Sequence, residues 1–385
     1  RSDRVECVVM ELAILLTFLS PFVLIPLYVV PNYGPFGQLV RVGRQLGLKY
    51  RRLLFRLEGQ YEGVAVSLRS STRDATRANE ITTKSQSVKL EVRVPCASGF
   101  TVRTEGVLDG LRAADPVTGD SEVDSVLWFV GDPIRVAALD VRARRWLVTR
   151  IGNGAWMDNG FLAVNDPFKI MSERELTARL RTAIECADAL APSRADIPGR
   201  LAHNATADPN PGVRLRCLGM LLREYGDFQE TVAVLADIRA GNDMACRLVA
   251  AASEGDSEEL GRLAPHVMNL PSPTLEQLCW ALTQIETCPA LGPVLLTLWT
   301  PHDEDRAAAI SPALGRHGTI DTVTMLRAEA SGQPRRVTAA IESAIARIQG
   351  RYAGAEAGQV SLVDDSGAGA VSLAEVPAED ELTSA

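Results

Sequence analysis

Two stretches decide the fold: Cys217–Gly226, CLGMLLREYG, and Cys246–Gly255, CRLVAAASEG. Each reads as the end of a short helix closed by glycine. The pattern recurs at Gly226, Gly255, Thr287, Gly318 and Gly350, with spacings of 29, 32, 31 and 32 residues. Five positions before each landmark stand Leu221, Ala250, Leu282, Ala313 and Ile345. Nine before stand Cys217, Cys246, Leu278, Ala309 and Ile341. Columns four residues apart share one helix face. Val232/Leu235, Leu260/Leu263 and Val323/Leu326 mark a second helix after several landmarks. One such helix pair cannot bury its apolar face alone, whereas stacked pairs can. The pattern predicts an α-solenoid over residues 194–352, an architecture that binds partners more often than it performs chemistry.

The motifs within these columns carry a resemblance. Asp208-Pro209 followed by Val213-Arg214, and Ala313-Leu314-Gly315-Arg316-His317-Gly318, resemble bacterial HEAT-like repeats of the short, phycobilisome-lyase-related type. The similarity spans roughly Ala195 to Tyr352 and is carried by the first and fourth units. The second unit lacks the Val-Arg pair, and Pro312 is expected to kink the first helix of the fourth. The resemblance implies a binding scaffold. It does not bring bilin-attaching activity with it.

Upstream, residues 38–193 read as a small α+β domain. Phe36–Leu46 is a short amphipathic stretch. Tyr50–Leu57 and Tyr61–Arg69 are predicted to form a hairpin turning at Glu58-Gly59-Gln60. Val88, Leu90, Val92 and Val94 alternate with charged residues as a half-exposed strand, and Gly99–Thr104 supplies another. Ser70–Ser85 is assigned to a long hairpin tip. A helix is predicted from Pro133 to about Leu147, and an Asn159-Gly160 hairpin between Trp156 and Phe161–Val164. Ser172 and Glu175 match a capping box, opening a helix through Leu176, Leu180, Ile184 and Ala187. Pro192–Pro198 reads as a linker to the repeats.

Residues 1–37 form the N-terminal segment, and from Leu12 to Gln38 no residue is charged. Leu12–Val30 is long enough, at ~1.5 Å per residue, to approach the ~30 Å hydrocarbon core of a bilayer. The leading reading is a single-pass transmembrane anchor. Pro21 and Pro26 leave a re-entrant or interfacial segment open, and Glu11 before the run and Val29-Val30-Pro31 after it argue against a cleaved leader. Arg41, Arg44, Lys49, Arg51, Arg52 and Arg56 follow the run, so the positive-inside rule places the C-terminal bulk in the cytoplasm of a bacterial inner membrane. Met10, read as the true start, would leave Glu11 as the only charge outside.

Charge and cysteine usage narrow the function classes. Residues 38–193 carry a net +4, residues 194–352 a net −4, and the tail from Ala353 onward seven acids and no base. A mildly acidic repeat region lacks the basic stripe that replaces phosphate counterions, which argues against nucleic acid as its partner. The tail, 353–385, reads as disordered and acidic. Its repeat of Val360-Ser361-Leu362 at Val371-Ser372-Leu373 is read as low-complexity drift. Among seven cysteines, Cys7, Cys96, Cys186, Cys217, Cys246, Cys279 and Cys288, there is no CxxC pair and no zinc spacing. Reduced thiols in a reducing compartment are expected.

No catalytic constellation emerges. His203, His266, His302 and His317 lie outside any metal-binding motif, and His317 is read as a surface or capping residue of an interhelical loop. Asp303-Glu304-Asp305 fits a helix N-terminus stabilised by the dipole. Gly152-Asn153-Gly154 reads as a turn rather than a phosphate loop. The candidates for partner binding are Trp280 and Trp299, because tryptophan is enriched at interface hot spots. The expected function is a non-enzymatic, membrane-anchored scaffold that binds a protein through its repeats, without cofactor, metal or nucleic acid. The alternatives are a lyase-like accessory subunit of an enzyme and a ligand sensor using the α+β domain.

Overall fold

The strands of the N-terminal half pair into one antiparallel sheet, in a computed structural model that describes residues 34–51, 56–71, 89–104, 116–152, 155–158, 160–167 and 172–353. The sheet comprises β1 (Lys49–Arg51), β2 (Arg56–Tyr61), β3 (Val64–Ser71), β4 (Lys89–Cys96), β5 (Phe100–Thr104), β6 (Leu127–Gly131), β7 (Trp156–Asp158) and β8 (Gly160–Pro167). Their order is β1-β2-β3-β4-β8-β7-β5-β6, so the β7–β8 hairpin inserts between β4 and β5, which are neighbours in sequence. Helices α1 (Gly34–Gln45), α2 (Ser121–Asp124), α3 (Pro133–Ala137), α4 (Val141–Gly152) and α5 (Glu173–Leu190) belong to the same half.

Alternation along the strands sends one set of side chains to a common core. Leu57, Leu68, Val92, Val94, Phe100, Val102, Phe129, Met157 and Leu162 are all buried there. Leu39 and Val40 of α1, Leu147 of α4 and Leu176 and Leu180 of α5 join the same cluster. Fully burying a side chain of this size stabilises by roughly 1.5–3 kcal/mol. The capping box opens α5 as predicted: Glu175 N–H donates to Ser172 Oγ at 3.2 Å and Ser172 N–H to Glu175 Oε2 at 2.8 Å.

Several predicted boundaries shift. Glu58-Gly59-Gln60 lies inside β2, and the chain turns instead at Glu62-Gly63, with φ of 50° and 81°. A two-residue turn with both φ positive matches the right-handed twist of the flanking strands. Predicted as one helix, Pro133–Leu147 is two, because the Asp140 carboxylate accepts from Ala143 N–H and starts α4 afresh. The hairpin after Met157 forms as expected, with Asp158 opposite Phe161. β6 was not anticipated, although Leu127-Trp128-Phe129-Val130 is a short apolar run. The predicted tip at Ser70–Ser85, the Leu12–Val30 segment and the acidic tail lie wholly or mostly outside the described residues. Among the described residues no helix is long and apolar enough to cross a membrane.

The C-terminal half is helical. It runs α6 (Asp196–Ala207), α7 (Pro211–Tyr225), α8 (Gln229–Ala240), α9 (Met244–Glu254), α10 (Ser257–Val267), α11 (Ser272–Gln284), α12 (Leu291–Leu298), α13 (Glu304–His317), α14 (Ile320–Ala330) and α15 (Arg335–Ala353). The chain divides into two compact units at Ile197/Pro198, with Gly119–Ser121 grouping with the second. The predicted linker is half helical, since α6 starts at Asp196.

Both repeat columns are inside. Leu221, Ala250, Leu282 and Ala313 are fully buried and Ile345 nearly so; Cys217, Cys246, Leu278 and Ile341 match them. In the fourth unit Ala309 is half-buried, and Ile310 takes its place facing the core. Gly350 does not end a helix, because α15 runs to Ala353. Pro312 is accommodated within a continuous α13. In α8 the buried face is Thr231, Val234 and Ile238, and Val232 is 60% exposed. The Thr231 hydroxyl donates to Tyr225 C=O at 2.6 Å, which turns that face inward and Val232 outward. The packing also departs from strict succession: α7 packs on α11, α11 on α13 and α13 on α15, while α9 packs chiefly on α10.

Candidate functional site

The cleft that the helical unit offers grows from its repeat signature. Asn210 caps α7, accepting from Gly212 N–H at 2.9 Å, with Pro211 at the first helical position. That cap aims Arg214, from the Val-Arg pair, at two partners. Its Nη1 donates to Asp208 C=O at 2.6 Å and its Nε to Asp243 Oδ2 at 2.7 Å. Asp243 is itself the cap of α9, its Oδ1 accepting from Ala245 and Cys246 N–H. Around this clasp lies a cleft of about 330 Å³ lined by Thr206, Arg214, Asp237, Asn242, Asp243 and Cys246, among others.

The chemistry available there is limited. Arg214 and Asp243 neutralise each other, and the α9 N-terminus is already occupied by a carboxylate. Burial raises the Cys246 thiol well above its ordinary range, and nearby Asp243 adds to the effect. A thiol held protonated is a poor nucleophile. Burial likewise lifts Cys96 and Cys186 to about 11 and Cys279 to about 12. No disulfide joins the cysteines of the described residues, and the buried ones serve as small apolar packing groups. The cleft is therefore suited to hydrogen-bonding a small polar group rather than to covalent catalysis.

The two tryptophans have different settings. Trp280 of α11 is half-buried, with the Arg216 guanidinium 3.5 Å from its ring centroid. Gly219 of α7 makes room for it, since a Cβ there would lie 2.7 Å from the indole. Trp299, at the end of α12, is 9% exposed, and its Nε1 has no hydrogen-bond partner among the described residues. Trp280 is thus a half-buried interhelical packing residue, and Trp299 belongs to the core.

His317 corrects its predicted place. It is the last residue of α13 and fully buried. Its Nδ1 accepts from Cys288 N–H at 3.0 Å, which fixes Nε2 as the donor to Leu282 C=O at 2.7 Å. Burial first, and then the charges of Arg316 and Arg351, lower its pKa to about 4. A neutral imidazole here satisfies two backbone groups that no helix reaches. His203, His266 and His302 are exposed, and among the described residues no group of metal-ligating side chains converges. Asp303 caps α13 as its predicted dipole role requires, accepting from Arg306 N–H at 3.1 Å. Asp305 pairs with Arg336 at 2.6 Å.

Among the exposed apolar side chains, periodicity picks out Val232 only as the packing partner of Leu235, and it passes over Phe228, Ile320 and Met325. Phe228 (49% exposed), Val232, Ile320 and Met325 (53%) lie at the starts and on the outer faces of α8 and α14. Tyr225 meets Phe228 edge-on at 5.2 Å. The signal available was negative: these residues fall off the buried columns.

No protein-family model, curated protein or solved structure matches the chain.

Proposed function

We propose that the chain is a non-enzymatic, membrane-anchored scaffold whose helical unit is a HEAT-like α-solenoid that binds a protein partner. The observation that carries this reading is the recurrent burial of Leu221, Ala250, Leu282, Ala313 and Ile345, one per helix at intervals near thirty residues. Stacked units of this kind spend their columns on each other and leave their second helices to solvent. Here those helices present Val232 and Met325, each more than half exposed. Single exposed apolar residues are ordinary, but recurrence on α8 and α14 gives a partner two anchoring points. The anchor reading of Leu12–Val30 puts this surface in the cytoplasm of a bacterial inner membrane. The acidic tail then modulates binding through salt-sensitive attraction.

The test uses the full chain with a photoreactive residue in place of Val232 or Met325, and the exposed Glu258 on α10 as control. One polypeptide crosslinked from both apolar positions and not from the control supports the reading. Turnover of a small molecule by the purified chain, with a pocket mapped to it, overturns the non-enzymatic assignment.

A further inference from the structure

The sheet face opposite the helices carries a charge arrangement that its packing does not require. Register sets Arg51 of β1 directly opposite Arg56 of β2, Arg56 opposite Arg69 of β3, and Arg69 opposite Glu91 of β4. With strands ~4.8 Å apart, three arginines stand in one transverse row about 10 Å long. Like charges placed directly opposite destabilise a sheet. Two residues along each strand the next row runs Lys49, Glu58, Ser67, Arg93, Ala163 and Trp156. Together the rows hold five cations and two carboxylates.

Each carboxylate is shared. Glu58 lies 3.3 Å from Arg51 and 2.6 Å from Arg56. Glu91, fully buried, holds Arg69 at 2.6 Å and also Arg93. Arg51 and Arg93 donate to their partners through Nε, and Arg56 Nε is in ion-pair range of Glu58 without a hydrogen bond. The Nη nitrogens of all three bond to nothing else among the described residues. The Arg51 side chain is 63% exposed, and those of Arg56 and Arg69 nearly 40%. Two glutamates therefore hold four guanidiniums in place without neutralising them.

The same face changes character toward β6. Arg93 lies 4.8 Å from the Trp156 ring and 5.2 Å from the Phe161 ring. Beyond them Trp128 is half-buried and Val130 is 41% exposed. Arginines grading into tryptophans and an aliphatic, with Arg103 of β5 opposite Trp128 and Asp158 opposite Phe161, are the residue types of a headgroup layer. We propose that this face docks on an anionic lipid bilayer, Arg51, Arg56, Arg69 and Arg93 meeting lipid phosphates and the Trp128–Val130 side entering the interface. Choosing a bilayer over a nucleic-acid strand rests on the anchor reading, because Lys49 opens β1 only 19 positions after Val30. Cations spread over two rows also match a field of mobile headgroups better than a single track of phosphodiesters.

The experiment reconstitutes the full chain in phosphatidylcholine bilayers with and without phosphatidylglycerol. Lipid crosslinking is read from a photoreactive residue replacing Ser67. Crosslinking should rise with the anionic lipid, fall with salt, and drop about five-fold for each of Arg51→Gln and Arg56→Gln. Arg51 is exposed and Arg56 partly so, and an unchanged melting temperature confirms that the variants fold. The same probe at Arg142, exposed on α4, should not respond. Failure to insert into phosphatidylcholine would sink the anchor alone, and the Ser67 probe would then be read with vesicles added from outside. Crosslinking indifferent to lipid charge and to both arginines overturns the proposal. So does preferential crosslinking of a single-stranded oligonucleotide that the same substitutions abolish.

Discussion

At the scale of single residues, two buried titratable groups make opposite demands on their surroundings. His317 is kept neutral by burial, with a folded pKa of about 4. Its unfolded value is about 6.5, so the unfolded chain takes up the proton first as pH falls. The stability this group contributes is complete above about pH 6.5 and lost down to about pH 4, a difference of about 3 kcal/mol. Denaturant titrations at these two pH values should show that loss, and His317→Gln should flatten it. An equal pH slope in the variant would remove His317 as its source. Glu91 is kept charged: burial raises its pKa, but hydrogen bonds from Arg69 and Arg93, and their charge, outweigh burial and hold it below the usual carboxylate range. Its contribution is present above the unfolded carboxylate pKa and fades only in stronger acid. Glu91→Gln leaves two partly exposed guanidiniums without their shared partner and should cost about 1.5–3 kcal/mol. Thermal melting at neutral pH would measure it. Neither role was legible in the sequence. Histidine ending a helix and glutamate in an alternating strand both look exposed until a second element is laid over them.

At the scale of elements, legibility followed the reach of the cause. The α5 capping box, the pairing of β7 with β8 and most of the repeat columns depend on residues a few positions apart, and these formed, with Ala309 and Gly350 as the exceptions. The split between α3 and α4 and the outward turn of Val232 depend on a side-chain oxygen recapturing the backbone, which periodicity does not register. Contact between α7 and α11 is close because Gly219 faces Trp280 and Ala281. Gly219→Val should push the two helices apart and cost about 1–3 kcal/mol by overpacking. A chemical-denaturation midpoint identical to wild type would mean that the helices yield without strain. Leu282→Asp places an unpaired charge at a fully buried position and should cost several kcal/mol, whereas Cys246→Ala should cost much less.

At the scale of the whole molecule, two compact units predict two unfolding transitions. Calorimetry should show Glu91→Gln lowering one and Leu282→Asp the other; a shift of both by either substitution would mean that the units melt as one. The sheet order could not be read in advance. Placing β7 and β8 between β4 and β5 is decided by which apolar face completes the core around Phe100 and Met157, a property of all eight strands together. The same holds for α7 resting on α11, and this contact governs how the chain reaches its fold. Pairing α13 with α15 closes only a short loop over α14. Pairing α7 with α11 must first bring together segments separated by residues 226–271. Loop-closure entropy rises with that span, and distant contacts slow the search. The C-terminal helices should thus gain hydrogen-exchange protection early in refolding, and α7 should gain it last. A nascent chain would hold α7 unsatisfied until α11 has been synthesised, leaving Leu218 and Leu221 open to chaperones for that interval.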